Sequence, residues 1–194
     1  MRLGVDVSEH QAGFIFPDGL DFAVLRTTDG TYRDHAFAEL YAGAHAAGLT
    51  ISAYHYLRAP SEGTTVAEQV EAALSVLGDI RVPMWLDVES PAGLSLDDVT
   101  AAAEHFTAAG VDIAGVYTTT RYWRLQMGLA RVGQFGGLWL AEWRENPRVE
   151  LGVQDVVSSA GAWPTPLGMP TPVMWQFTSR GLVNGMDVDV NLAR

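Results

Sequence analysis

Two carboxylates stand two residues apart at the end of an apolar run, in the segment Trp85-Leu86-Asp87-Val88-Glu89. Side chains at i and i+2 of a β-strand share a face. Asp87 and Glu89 are therefore expected side by side, about 7 Å apart at Cα by strand rise. Neighbouring like charges favour protonation of one member, so the pair can hold one proton and one charge. That is the equipment for breaking a glycosidic bond. An Asp-x-Glu strand can equally be the solvated face of an antiparallel sheet. The flanks point elsewhere: Leu86 and Val88 fill one face, and Trp85 shares the other with the acids. A strand apolar on both faces is typical of a parallel sheet, and barrel enzymes keep their chemistry at the C-terminal ends of such strands.

The elements that must position this pair follow from periodicity. Strands are expected at Leu3–Val7, Phe22–Thr27, Ile51–Leu57, Val82–Val88 and Ile113–Tyr117. Helices are expected at Asp34–Ala47, Thr65–Leu77, from Ser95 to Gly110, and Arg121–Ala130. Ser95 with Asp98 three residues on is a variant of the reciprocal N-terminal cap. Gly137–Ala141 is a sixth strand, after which the alternation stops. Residues Ser158–Pro172 are rich in Gly and Pro and are expected to be irregular. Val173–Thr178 and Met186–Val190 are the last strands. The fold class predicted is α/β, a modified (β/α) barrel of five βα units followed by three strands. A doubly wound open sheet is the alternative. The whole chain, 1–194, is expected to form a single domain.

With this register, acids recur at strand ends. Asp6 ends the first strand, Asp87 and Glu89 the fourth, and Asp187 and Asp189 lie on the last. Closure of a barrel makes the last strand a neighbour of the first, so Asp6 and Asp189 should face each other. The same rim collects Tyr54, Tyr56, Tyr117, Trp139, Trp143 and Trp175. Pyranose rings present apolar CH faces that stack on aromatic rings, while acids take the hydroxyls.

Composition narrows the alternatives. The net charge is −11 over 194 residues, which disfavours a nucleic-acid partner and adsorption to anionic membranes. No cysteine is present, so thiolate nucleophiles and thiolate metal sites are excluded. The five histidines lack metal-ligand spacing. Carboxylates alone could hold Mg²⁺ or Ca²⁺, as in a metal-dependent phosphoesterase, but Gly-rich phosphate loops are absent. Neither a metal nor a cofactor is expected. The N-terminus meets an acid at once and shows no signal-peptide core.

The ordered motifs resemble the glycoside hydrolase family 25 lysozymes, or Chalaropsis-type muramidases. Gly4-Val5-Asp6-Val7-Ser8-Glu9-His10-Gln11 is similar to that family's opening segment. Thr31-Tyr32-x-Asp34, Ala46-Ala47-Gly48-Leu49, Tyr54-His55-Tyr56 and Leu86-Asp87-Val88-Glu89 follow in order. Trp139-Leu140-Ala141-Glu142-Trp143, with Trp143 in place of the usual Tyr, and Trp175-Gln176-Phe177-Thr178-Ser179 resemble later segments, and Gly185–Asn191 resembles the closing one.

The resemblance implies hydrolysis of the β-1,4 bond from N-acetylmuramic acid to N-acetylglucosamine in peptidoglycan. It places Glu89 as general acid, Asp87 as its partner carboxylate, and Asp6 and Asp189 as supporting acids. Asp187 lies outside the shared pattern: it either raises a neighbour's pKa or points to solvent. A substrate-assisted route, with Asp87 orienting the N-acetyl group, competes with inversion through an activated water. Tyr54, Tyr56, Tyr117, Trp139 and Trp175 are the candidate substrate-binding residues. Peptidoglycan is the expected partner of a monomer acting at the bacterial cell wall without stable membrane association, as a phage endolysin, a virion component or a leader-trimmed secreted protein. A non-hydrolytic glycan-binding module on the same fold and a chitinase are the alternatives. Chitinases carry a further Asp two residues upstream of the pair, where this chain has Trp85.

Overall fold

The strands close on themselves. The computed structural model describes residues 1–151 and 156–194. Its strands are β1 (Arg2–Val7), β2 (Phe22–Asp29), β3 (Tyr32–Arg33), β4 (Thr50–Tyr56), β5 (Met84–Asp87), β6 (Ile113–Thr118), β7 (Gly137–Ala141), β8 (Val149–Glu150), β9 (Met174–Val183) and β10 (Met186–Ala193). Its helices are α1 (Phe37–Ala46), α2 (Val66–Leu77), α3 (Leu96–Ala108), α4 (Thr120–Gln126) and α5 (Val156–Ala160). The order β1-β10-β9-β7-β6-β5-β4-β2 returns to its start because β2 pairs with β1 in parallel. β10 alone in this ring runs antiparallel to its neighbours, β1 and β9. The result is the expected modified barrel; β3 and β8 are extra strands outside the ring.

The parallel strands read as continuous apolar runs because both their faces are covered. Phe22, Ala23, Val24 and Leu25 are all buried, and they divide by parity. Phe22 and Val24 point into the barrel with Trp85, Tyr117, Trp139 and Met174. Ala23 and Leu25 point outward into the larger core beneath the helices. The helices start where side chains satisfy their free N–H groups. Thr65 Oγ1 accepts from Glu68 N at 3.2 Å while the Glu68 carboxylate accepts from Thr65 N at 2.8 Å. Ser95 and Asp98 make the same reciprocal cap, as their spacing predicts. At Gly115, φ is +152° and a Cβ would lie 1.9 Å from the Gly137 carbonyl oxygen, so only glycine lets β6 and β7 approach here.

The structure corrects several local expectations. No α-helix follows β1; a single 3-10 turn, Glu9–Gln11, stands there instead. The helix expected from Asp34 begins at Phe37. The Asp34 carboxylate is engaged elsewhere, accepting from Arg26 Nε, Glu9 N and Ala36 N. The helix expected to reach Ala130 ends at Gln126, because Gly128 takes a left-handed φ and the Trp123 indole N–H donates back to the Ala130 carbonyl. Within the stretch expected to be irregular, Ser158–Ala160 belong to α5. No helix among the described residues is long and apolar enough to cross a membrane.

Candidate active site

The register of the barrel brings distant acids to one mouth. Asp6 stands directly opposite Asp189 in the β1–β10 ladder. Asp87, the last residue of β5, is level with Tyr56 on one side and Tyr117 on the other. Glu89 follows two residues later and lines a cavity of about 360 Å³ with Tyr117, Thr119, Ala141, Trp143 and Asp189. A second cavity, about 310 Å³ and more apolar, opens at the opposite end of the barrel between Arg2, Phe22, Trp85 and Met174. No acidic side chain lines it, whereas Glu89 and Asp189 line the first.

The four acids are held in unlike environments. Asp87 is buried, and its Oδ1 has no hydrogen-bond partner among the described residues. Burial holds its carboxyl well above the ordinary value, and the charges of Glu89, Asp6 and Asp29 add to this against the opposing charge of Arg26. Glu89 is raised by burial and then by Asp6. Burial pushes Asp6 up to about 6, against hydrogen bonds from Asn191, Gln176 and Asp189 that favour its charged form. Asp189 is pushed up to about 8 by burial, by the charges of Asp6 and Glu89, and by its own hydrogen bond to Asp6. Like charges in a shared, desolvated space cannot all ionise together. The cluster therefore keeps protons near neutral pH, and Glu89 is the member exposed to the cavity beside Asp189.

Side-chain amides lie beneath the acids. Gln176 Nε2 donates to Asp6 Oδ1 at 2.9 Å and to Asp189 Oδ2 at 3.2 Å. Asn191 Nδ2 donates to Asp6 Oδ1 at 2.6 Å. Tyr117 OH and Trp143 Nε1 both donate to Gln176 Oε1, at 2.9 and 2.8 Å. Trp139 Nε1 donates to Asn191 Oδ1 at 2.7 Å. The loop carrying Glu89 is pinned from two sides. Ser90 Oγ donates to Glu62 Oε2 at 2.5 Å, and Tyr122 OH donates to the Ser90 carbonyl at 2.9 Å. Glu62 is itself held by Arg58, which also grips Asp29.

Of the residues expected at the rim, Tyr54, Tyr56 and Tyr117 do gather around the acids. The charges of Asp6 and Asp87 reach Tyr54, those of Asp87 and Glu89 reach Tyr56, and all four site acids reach Tyr117; each adds to burial in raising the phenol. The two tryptophans named as substrate-binding residues are a correction. Trp139 is 1% exposed and fills the barrel interior against Tyr54, Trp85 and Tyr117. Trp175 is also 1% exposed and faces the other way, toward Trp163 and Phe177, its N–H on the Glu142 carbonyl. Strand parity explains both: Gln176 takes the inward position that its neighbour Trp175 cannot have, and Trp139 sits one layer too deep. The aromatic ring open at the mouth is Trp143, 42% exposed. Asp187 is exposed and contributes nothing to the shift of Asp189.

Gln176, Asn191 and Ser90 are the site residues that reasoning from acids and aromatics overlooked. Parity carried a signal for one of them, since Asn191 shares a strand face with Asp189.

Residues 5–186 match the family described as glycosyl hydrolases family 25. The chain is 28% identical over 214 residues to lysozyme M1 of Streptomyces globisporus, an alignment covering 97% of this chain and 65% of that protein. It is 32% identical over 130 residues to an autolytic lysozyme of Clostridium acetobutylicum, covering 62% of this chain and 39% of that one. The chain thus spans less than two thirds of the length of either relative. Among solved structures, a family GH25 lysozyme from Aspergillus fumigatus superimposes with a TM-score of 0.71 at 24% identity, covering 100% of this chain and 93% of that one. The catalytic domain of endolysin ply40 from bacteriophage P40 of Listeria monocytogenes does so with a TM-score of 0.76 at 21% identity, again over 100% and 93%. At these identities the two structures establish the shared fold.

Proposed function

The chain belongs to glycosyl hydrolases family 25, and on that premise we propose that it is a single catalytic domain, residues 1–194, that hydrolyses the β-1,4 bond between N-acetylmuramic acid and N-acetylglucosamine in bacterial peptidoglycan. Glu89 protonates the leaving glycosidic oxygen. The observation that carries this assignment is its place: the carboxyl is raised by burial and by Asp6, yet it opens on the cavity. A general acid needs a raised pKa and access to the bond; burial and Asp6 raise Glu89, and the cavity reaches it.

Asp87 orients the substrate's own N-acetyl group for attack on the anomeric carbon. Support comes from its buried Oδ1, which lacks a donor among the described residues and is suited to accept the N–H of a 2-acetamido group. The bond to the leaving oxygen breaks as the acetamido oxygen bonds to C1. Water then opens this cyclic intermediate, with Glu89 taking back a proton. Asp6 and Asp189, sharing a proton, supply negative charge close to the reacting centre. Tyr54, Tyr56 and Tyr117 line the approach, and Trp143 offers the ring on which a sugar stacks. The partner is peptidoglycan at the bacterial cell wall, reached by a monomer, with no nucleic acid, cofactor or metal involved.

Mass analysis of muropeptides after digestion of purified walls tests this reading. Active protein is expected to release fragments ending in N-acetylmuramic acid, and Glu89→Gln none, with unchanged melting. Near-wild-type release by Glu89→Gln, or fragments ending in N-acetylglucosamine, would overturn it. Tight binding of walls without release by the unaltered protein would favour a glycan-binding module instead.

A further inference from the structure

The hydrogen bonds beneath the acids have a direction, and two indoles set it. A tryptophan N–H can only donate, whereas a tyrosine hydroxyl donates or accepts. Because Trp143 Nε1 points at the Gln176 side chain, the amide atom facing it must be oxygen. The Gln176 NH2 is then turned toward Asp6 and Asp189. Because Trp139 Nε1 points at the Asn191 side chain, the same reasoning turns the Asn191 NH2 toward Asp6. Tyr117 alone could not do this, since its hydroxyl would suit either orientation of Gln176.

We propose that Trp143 and Trp139 are positioning residues whose donor-only N–H groups orient the amides of Gln176 and Asn191, so that Asp6 is kept as an acceptor and the proton of the Asp6–Asp189 pair stays on Asp189. Asp6 Oδ1 receives two N–H groups, one from each amide. Asp189 receives one, the longer of the two that Gln176 donates. Hydrogen bonds donated to a carboxyl favour its charged form, so the better-supplied member ionises first.

Two consequences follow. The amide of Gln176 spends all four of its hydrogen-bonding positions, two on acids, one on Tyr117 and one on Trp143, and has no second orientation of comparable quality. Trp143 is also the ring open to the cavity. Its indole therefore joins a surface a sugar can touch to the proton balance of acids behind it. Other groups act on the pair too. Glu89 and Asp87 face it from the end of β5, Tyr54 from β4 and Tyr117 from β6, while Arg26 on β2 is the cation that acts on Asp87 and Tyr54. All of these remain in a Trp143→Phe variant, which removes only the donor and part of the ring.

The inference deepens the hydrolase reading, and its primary test needs no turnover. Carboxyl carbon-13 resonances of Asp6 and Asp189 are titrated in the full chain and in Trp143→Phe. The Asp6 midpoint is expected to rise by about half a unit or more as Gln176 loses the restraint on its orientation. In steady-state assays the acid limb of the kcat profile should move upward with it, while KM changes less than about threefold. Trp143→Leu, which also removes the stacking ring, should show the same limb shift with a larger rise in KM. An unmoved Asp6 midpoint in Trp143→Phe overturns the proposal and leaves Trp143 as a stacking platform only. Absence of muropeptide release by the unaltered protein sinks the hydrolase reading and leaves the titration result standing.

Discussion

Asp6 and Asp189 face each other across the antiparallel β1–β10 ladder, and one amide, Gln176 Nε2, donates to both. Holding two acids this close opposes folding at neutral pH, because the unfolded chain would ionise both. Each carboxyl is raised in the folded state, so the pair's contribution to stability is greatest in acid and is lost as pH rises through about 6 for Asp6 and about 8 for Asp189.

An asparagine at position 189 imitates the protonated acid and keeps a donor for Asp6. Asp189→Asn is therefore expected to raise the melting temperature at pH 8, with the gain shrinking toward pH 4, and to lower activity. Thermal melts at both pH values check this. Equal effects at the two would show that the shared proton is not what strains the fold.

His55 gives the opposite slope. It is fully buried, its Nδ1 lies 2.6 Å from Thr28 Oγ1, and its ring packs edge-on against Phe106. Burial lowers its pKa to about 4, against a smaller opposing effect of the Asp29 charge. The unfolded chain binds this proton first, so the stability is present above about pH 6.5 and lost as pH falls toward 4. A shift of this size corresponds to about 3 kcal/mol. The difference in unfolding free energy between wild type and His55→Leu should narrow by about that much from pH 7 to pH 4. A difference constant with pH would mean that the ring titrates normally.

Trp139 and Trp175 belong to the core, contrary to the expectation from sequence. Truncating a fully buried tryptophan leaves a large cavity, at a cost of about 3–5 kcal/mol. Trp139→Ala and Trp175→Ala should each lose about that much in denaturant titrations. A stable Trp139→Ala protein with weakened glycan binding would return that residue to the rim.

Ser90 holds the residue before it. Its hydroxyl is buried against Glu62, so Ser90→Ala frees the backbone next to Glu89. Misplacing a catalytic group by an ångström costs on the order of 100-fold. Ser90→Ala is expected to lower kcat by about 10- to 100-fold with KM little changed. An unchanged kcat would show that the Tyr122 contact suffices.

The architecture was legible because parallel strands and amphipathic helices leave different periods in sequence. The run of apolar residues at Phe22–Leu25 and the Ser95–Asp98 cap are local patterns, and local patterns survive without the fold. The acids Asp6, Asp87, Glu89 and Asp189 were legible as residue types at strand ends, and closure of a barrel then makes the first and last strands neighbours. The depth of a side chain was not legible. Trp139 and Trp143 are both aromatic and share strand parity, yet one is 1% and the other 42% exposed, because layers within a barrel are set by where strands start and stop.

By itself the sequence determined which residues could carry a proton, which strand faces they occupy, and that a ring of strands should gather them. Only the tertiary structure decided that amides rather than more acids lie beneath them, which way those amides point, and which aromatic ring is open to a sugar. The physical reason is that hydrogen-bond direction and burial depend on neighbours from other strands, such as Gln176 and Asn191 around Asp6, and no spacing within one segment encodes them.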